Sequence, residues 1–104
     1  MRNSSSTGVR VTIGLSMHYI LFYDLVADYI EKRAAYRAEH LDLVRGAHER
    51  GEIVMAGALA DPADLAVIVF RSAEVGEAFA KADPYVNNGL VKAWRVRKWN
   101  TVVG

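Results

Sequence analysis

No cysteine occurs among the 104 residues of this chain, which excludes disulfide bonds, thiolate nucleophiles and cysteine metal sites. A reducing cytoplasm is the compartment expected for such a composition. There are only two prolines, and both follow an aspartate, in Asp61-Pro62 and Asp83-Pro84; that pairing favours extended or turn backbone. No run of about 18 apolar residues exists, so no membrane-spanning helix is expected. Charge of one sign is lacking too. The 13 Lys plus Arg and 12 Asp plus Glu give a formal net charge of +1, too small a balance to draw the chain to nucleic acid or an anionic membrane. The histidines are His18, His40 and His48. His40 and His48 lie two helical turns apart, too far to hold one ion, so no metal site is expected.

What is present reads as one domain. Residues 1–16 carry Ser4, Ser5, Ser6, Thr7, Arg2 and Arg10 without an acid, and Thr12 and Gly14 interrupt the apolar stretch that a signal peptide needs. They are expected to be a disordered N-terminal extension, with the folded unit spanning residues 17–104. From Met17 the pattern predicts strand, helix, strand, strand, helix, strand. Tyr19 to Tyr23 is an aromatic and β-branched run of strand length. Asp28 and Glu31 form an acidic capping box for a helix that runs to about Arg50 and stops at Gly51. Ile53 to Leu59 and Leu65 to Phe70 form a hairpin across Asp61-Pro62-Ala63-Asp64. Ser72 caps a helix over Ala73 to about Ala82, Val86 to Gly89 make a turn, and Leu90 to Trp99 form the last strand.

A βαββαβ order predicts an α+β fold, a four-stranded antiparallel sheet with two helices on one face. Tyr19 to Tyr23 and Val67 to Phe70 are apolar on both sides of their strands. Such strands need cover on both faces, and a second copy packed sheet on sheet would supply it.

The long helix carries the unusual feature. At roughly 100° per residue, Ile30, Ala34, Ala38, Leu41 and Val44 share one side, and Arg33, Arg37 and His40 project with them. An unpaired charge on a buried face is costly, so a carboxylate, a partner chain or a ligand must satisfy these groups.

Tyr19 to Tyr23, Glu31-Lys32-Arg33, Tyr36-Arg37-Ala38-Glu39-His40-Leu41, Gly57-Ala58-Leu59, Ala82-Asp83-Pro84-Tyr85-Val86 and Gly89-Leu90-Val91 together resemble the YciI-like (YCII-related domain) proteins. Arg37-x-x-His40-Leu41 and Ala82-Asp83-Pro84-Tyr85 are the most specific pieces. The resemblance implies a ferredoxin-like domain paired into a dimeric α/β barrel, with His40 and Asp83 matching the proposed catalytic pair. It also brings in a dehydrochlorinase that eliminates HCl without a cofactor. Independently, an imidazole suits proton transfer near neutral pH, and a carboxylate on one ring nitrogen fixes its tautomer. Arg37 and Arg33 would hold a small anionic metabolite, and Tyr36 and Tyr85 would hydrogen-bond or stack on it. The opposing structural reading has His40 as a core histidine, Asp83-Pro84 as a helix stop, and the arginines paired with Asp24, Glu52 or a dimer mate.

Two functions follow from these residues. One is a cofactor-independent lyase or dehydrochlorinase working by His40/Asp83 acid–base chemistry as a homodimer. The other is a non-catalytic dimer that binds or senses a small ligand. A heme-using relative of the dimeric barrels is disfavoured, since His40 has no evident second ligand beside it.

Overall fold

The computed structural model describes residues 17–104; the extension expected over residues 1–16 lies outside the described residues. Four strands, β1 (Met17–Leu25), β2 (Ile53–Ala58), β3 (Leu65–Phe70) and β4 (Val91–Asn100), form one sheet in the order β2-β3-β1-β4. Every neighbouring pair is antiparallel. β1 lies inside the sheet, and its register places Tyr23 opposite Ala66 on one side and Trp94 on the other. The chain crosses twice over the same face, from β1 to β2 and from β3 to β4, which leaves β2 and β4 at the edges.

Alternation along the strands sorts the two faces. Leu21, Tyr23 and Leu25 of β1, Ile53 of β2, and Ala66, Ile68 and Phe70 of β3 are buried in a core with Tyr29, Ala47, Phe79, Ala80, Tyr85 and Leu90. Trp94 and Val96 of β4 pack against that core, while Arg95 and Arg97 are exposed. The opposite face carries Ile20, Phe22, Val67 and Val69. No helical segment covers it among the described residues.

The helical layer departs from the two continuous helices expected. The first is broken into α1 (Tyr29–Lys32), a 3₁₀ turn over Arg33–Ala35, and α2 (Arg37–Glu49). Tyr36 leaves helical geometry at φ −121°, ψ 0° between the last two. Asp28 makes no capping hydrogen bond; its carboxylate sits 3.7 Å from Lys32 Nζ instead, so the expected capping box does not form. The inward stripe is also shifted. Ile30, Ala34 and Ala38 are exposed, and α2 turns Leu43, Val44 and the buried Ala47 toward the core. Gly51 follows the end of α2 at φ +79°, the left-handed conformation that glycine adopts without penalty.

The second crossover begins as expected, with Ser72 Oγ accepting from the Val75 amide at 3.5 Å to cap α3 (Ala73–Ala82). Gly76 brings α3 close to the sheet, since a Cβ there would stand 3.2 Å from the Phe70 ring. Past α3, a short helix α4 (Pro84–Asn87) occupies part of the expected Val86–Gly89 turn. Asp83 is its N-cap and Pro84 its first residue, where a missing N–H costs nothing. Among the described residues, no helix is long and apolar enough to cross a membrane.

Candidate functional site

The junction between α3 and α4 puts a carboxylate in the centre of the molecule. Asp83 has an extended backbone at φ −73°, ψ 124°, as expected before proline, and its side chain is fully buried. Such a group demands donors, and three converge on it. Tyr23 Oη donates to Oδ2 at 2.8 Å, and the Tyr85 amide donates to Oδ1 at 3.0 Å. His40 Nδ1 lies 2.9 Å from Oδ1 and 3.0 Å from Oδ2. Asp83 therefore stops α3, caps α4 and binds His40 at once, so the helix-stop reading and the His–Asp pair describe the same residue.

The other contacts of His40 fix its ring. Tyr85 stacks on one face, with centroids 3.8 Å apart and planes 8° apart. Phe79 meets it edge-on at 6.4 Å. Because the carboxylate can only accept, Nδ1 carries the hydrogen and the lone pair of a neutral ring lies on Nε2. Nε2 is the nitrogen left for a ligand.

His40 forms part of the wall of a cavity of about 230 Å³. Tyr23, Tyr29 and Tyr85 line it with His40. Ala56, Gly57, Ala58, Ala66 and Ile68 form its sheet side, and Arg33 and Arg37 supply its charge. No carboxylate belongs to this lining; Asp83 stands behind His40. The Arg33 guanidinium lies 5.4 Å from the Tyr29 ring centroid, a cation–π distance. Of the carboxylates that could have neutralised the arginines, Asp24 is paired with Arg95 at 3.1 Å and Glu52 with Arg50 at 3.0 Å. Among the described residues neither Arg33 nor Arg37 forms an ion pair. Arg37 also sits in the first turn of α2, where the helix dipole opposes a cation. Its position serves the cavity, not the helix.

Two of the tyrosines differ in how they are used. Burial first, then the Asp83 charge and its hydrogen bond, hold the Tyr23 phenol far above its ordinary value, so Tyr23 is a fixed donor. Burial also raises Tyr85, and Tyr29 adds to the effect, while Arg37 and Arg33 oppose it. Its hydroxyl is buried without a hydrogen-bond partner among the described residues. Arg37 acts on that hydroxyl both by its charge and as a hydrogen-bond donor within reach of the oxygen, although the two groups are not aligned as a regular hydrogen bond; a donor from Arg37 would leave the Tyr85 O–H itself free to donate.

Of the residues named from sequence, His40, Arg33, Arg37 and Tyr85 line the cavity, with Asp83 one step behind. Tyr36 is outside the lining and packs against the core. The break before α2 turns it toward the core and away from this lining. Sequence reasoning missed Tyr23 and Tyr29. Tyr23 shares the inward parity of Leu21 and Leu25, and a buried tyrosine at such a position needs a partner for its hydroxyl.

Known proteins resemble this chain in sequence and in fold. A YCII-related domain matches residues 17–100. The Protein YciI sequences of Escherichia coli O6:H1 and Shigella flexneri are each 30% identical to this chain over 97 residues, covering 83% of it and 99% of the relative. Among solved structures, 5-chloro-2-hydroxyhydroquinone dehydrochlorinase (TftG) from Burkholderia phenoliruptrix AC1100, in complex with 2,5-dihydroxybenzoquinone, superposes with a TM-score of 0.66. That match covers 80% of this chain and 93% of the other at 16% identity, a likeness of fold. With the domain running from β1 to the end of β4 and the YciI proteins matched across nearly their whole length, the chain belongs to the YciI-like, YCII-related domain family.

Proposed function

We propose that this protein is a small acid–base enzyme that works without a cofactor, using Nε2 of His40 as the base and Asp83 to orient the ring and balance its charge. The carrying observation is the buried carboxylate within 3.0 Å of Nδ1, which leaves the opposite nitrogen beside a cavity of small-metabolite size. Arg33 and Arg37 favour an anionic substrate, or negative charge that develops during reaction. A lyase fits these parts. In a dehydrochlorination, the substrate proton passes to Nε2, the electron pair it leaves forms the new π bond, and the C–Cl pair departs with chloride. The fold relative named for that activity was solved with a single-ring compound, which supports a ring-sized substrate here.

On this reading the unit is a ferredoxin-like domain acting in the cytoplasm as a homodimer. Two copies would pack their open sheet faces together into a dimeric α/β barrel. Ile20, Phe22, Val67 and the buried Val69 lie on that face with exposed Met55 of β2, Leu59 just past it and Trp99 of β4, and the Arg95 guanidinium sits 4.8 Å from the Phe22 ring there. The test of the catalytic reading is turnover of small chlorinated or hydroxylated ring acids by the whole protein. His40→Gln is expected to lower turnover by roughly 10²-fold or more. Turnover equal to wild type would take His40 out of the mechanism; tight binding of a compound with no turnover would favour the ligand-sensing alternative.

A further inference from the structure

The hydroxyl of Tyr85 is the one polar atom of the cavity wall that the fold buries and leaves without a protein partner among the described residues. Tyr23, on the same wall, spends its hydroxyl on Asp83. The Tyr85 ring also has aromatic partners. One face lies against His40, and Tyr29 meets it edge-on at 5.7 Å. Stacking on a substrate, one role expected for Tyr85, is therefore closed to the face that covers His40. What Tyr85 offers a ligand is its O–H.

We propose that the Tyr85 hydroxyl donates a hydrogen bond to an anionic oxygen of a planar, single-ring ligand whose charge is balanced by Arg37 and Arg33. An unsatisfied buried hydroxyl is costly, and the two guanidiniums make its surroundings positive. An oxyanion acceptor answers both conditions. Size sets the rest of the class. A cavity of about 150 Å³ holds one benzene ring, so 230 Å³ admits a ring with a few substituents, about ten non-hydrogen atoms. Carboxylates, phenolates and enolates of that size qualify. The inference rests on the reading of this cavity as the place where His40 works, and it makes Tyr85 a specificity-determining residue there.

Benzoate and its neutral isostere benzamide separate the possibilities, titrated into the whole ¹⁵N-labelled protein and followed at the amides of Gly57 and Ala58. Wild type is expected to bind benzoate at least about tenfold more tightly than benzamide. Tyr85→Phe, which keeps the ring against His40, is expected to weaken benzoate by about tenfold or more, the usual effect of losing a hydrogen bond to a charged group, and to leave benzamide nearly unchanged. His40→Gln is expected to keep the preference for benzoate. Equal binding of the two compounds by wild type, no benzoate binding at tens of millimolar, or unchanged benzoate affinity in Tyr85→Phe would each overturn the assignment. Retained turnover in His40→Gln beside lost benzoate affinity in Tyr85→Phe would refute the catalytic reading and leave the binding role of Tyr85 standing.

Discussion

Replacing Asp83 by asparagine keeps the side chain's shape and removes its charge, and the surrounding donors dictate how the amide must sit. The Tyr85 backbone N–H points at Oδ1 from 3.0 Å and cannot turn away, so the asparagine carbonyl takes that place. The NH₂ then occupies the Oδ2 position, 2.8 Å from Tyr23 Oη and 3.0 Å from His40 Nδ1. Tyr23 adapts by rotating its hydroxyl to accept. His40 Nδ1 lies between the two atoms, 2.9 Å from the carbonyl at Oδ1 and 3.0 Å from the amide at Oδ2; the carbonyl already accepts from the Tyr85 N–H and the amide offers Nδ1 a hydrogen, so the tautomer shifts toward Nδ1 accepting and Nε2 carrying the hydrogen.

The consequence for stability is moderate. Three hydrogen bonds lose the assistance of a charge, about 1 kcal/mol each, and part of that is returned because a charge no longer has to be kept from water. A net loss of about 1–3 kcal/mol corresponds to a fall in Tm of roughly 5–15 °C for a domain of this size. The consequence for chemistry is larger. A ring with hydrogen on Nε2 has no lone pair for the substrate, and the wrong tautomer in a His–carboxylate pair costs on the order of 10⁴ in turnover. Imidazole ¹⁵N NMR reads the tautomer directly, with the hydrogen expected on Nδ1 in wild type and shifted toward Nε2 in Asp83→Asn; thermal melts give the stability. An Asp83→Asn protein that keeps its hydrogen on Nδ1 and melts with wild type would refute the reasoning.

Alkaline stability follows from Tyr23. Its phenol is raised in the folded state by burial and by Asp83, so the unfolded chain loses this proton first as pH climbs past about 10; the contribution is full below that pH and falls progressively above it. Urea midpoints between pH 9 and 12 should therefore decline more steeply for wild type than for Tyr23→Phe, and parallel curves would contradict the assignment. Val67→Glu places a charge in the middle of the open sheet face. Sedimentation at micromolar concentration should give twice the chain mass for wild type and the single-chain mass for the variant, and a soluble monomeric wild type would end the sheet-to-sheet proposal.

The strand layout was legible in the sequence because each strand is short and its alternation local. Leu65–Phe70 was read to the residue, and β1 was longer than expected only by its ends, Met17 to His18 and Asp24 to Leu25. Ser72 and Gly51 announced their helix boundaries through local chemistry. His40 and Asp83 are 43 positions apart in the chain; no local pattern joins them, and the pairing was suggested by family resemblance before the structure put them in contact. Tyr23 could have been found from parity alone, since its neighbours at two-residue spacing are leucines that face the core.

The helix face was misjudged for a definite reason. A projection at 100° per residue assumes an unbroken helix, whereas a 3₁₀ turn advances 120° per residue, so Arg33–Ala35 alone rotates what precedes them by roughly 60° relative to α2. Tyr36 then leaves helical geometry altogether. Ile30 and Ala34, assigned inward, end up exposed, and Tyr36, assigned to the substrate, packs on the core. Neither glycine nor proline marks the break, so nothing local in the sequence reports it. The same break governs where Arg33 and Arg37 stand around the cavity, because they lie on opposite sides of Tyr36. Restoring a regular helix from Tyr29 to Glu49 would change the angle between the two guanidiniums while leaving His40, held by Asp83 and Tyr85, where it is. Asp83 and Tyr85 therefore stand on the α3–α4 junction, Arg33 on the 3₁₀ turn, and Arg37 with His40 on the first turns of α2, so the two supports meet at the ring that Asp83 and Tyr85 hold in place.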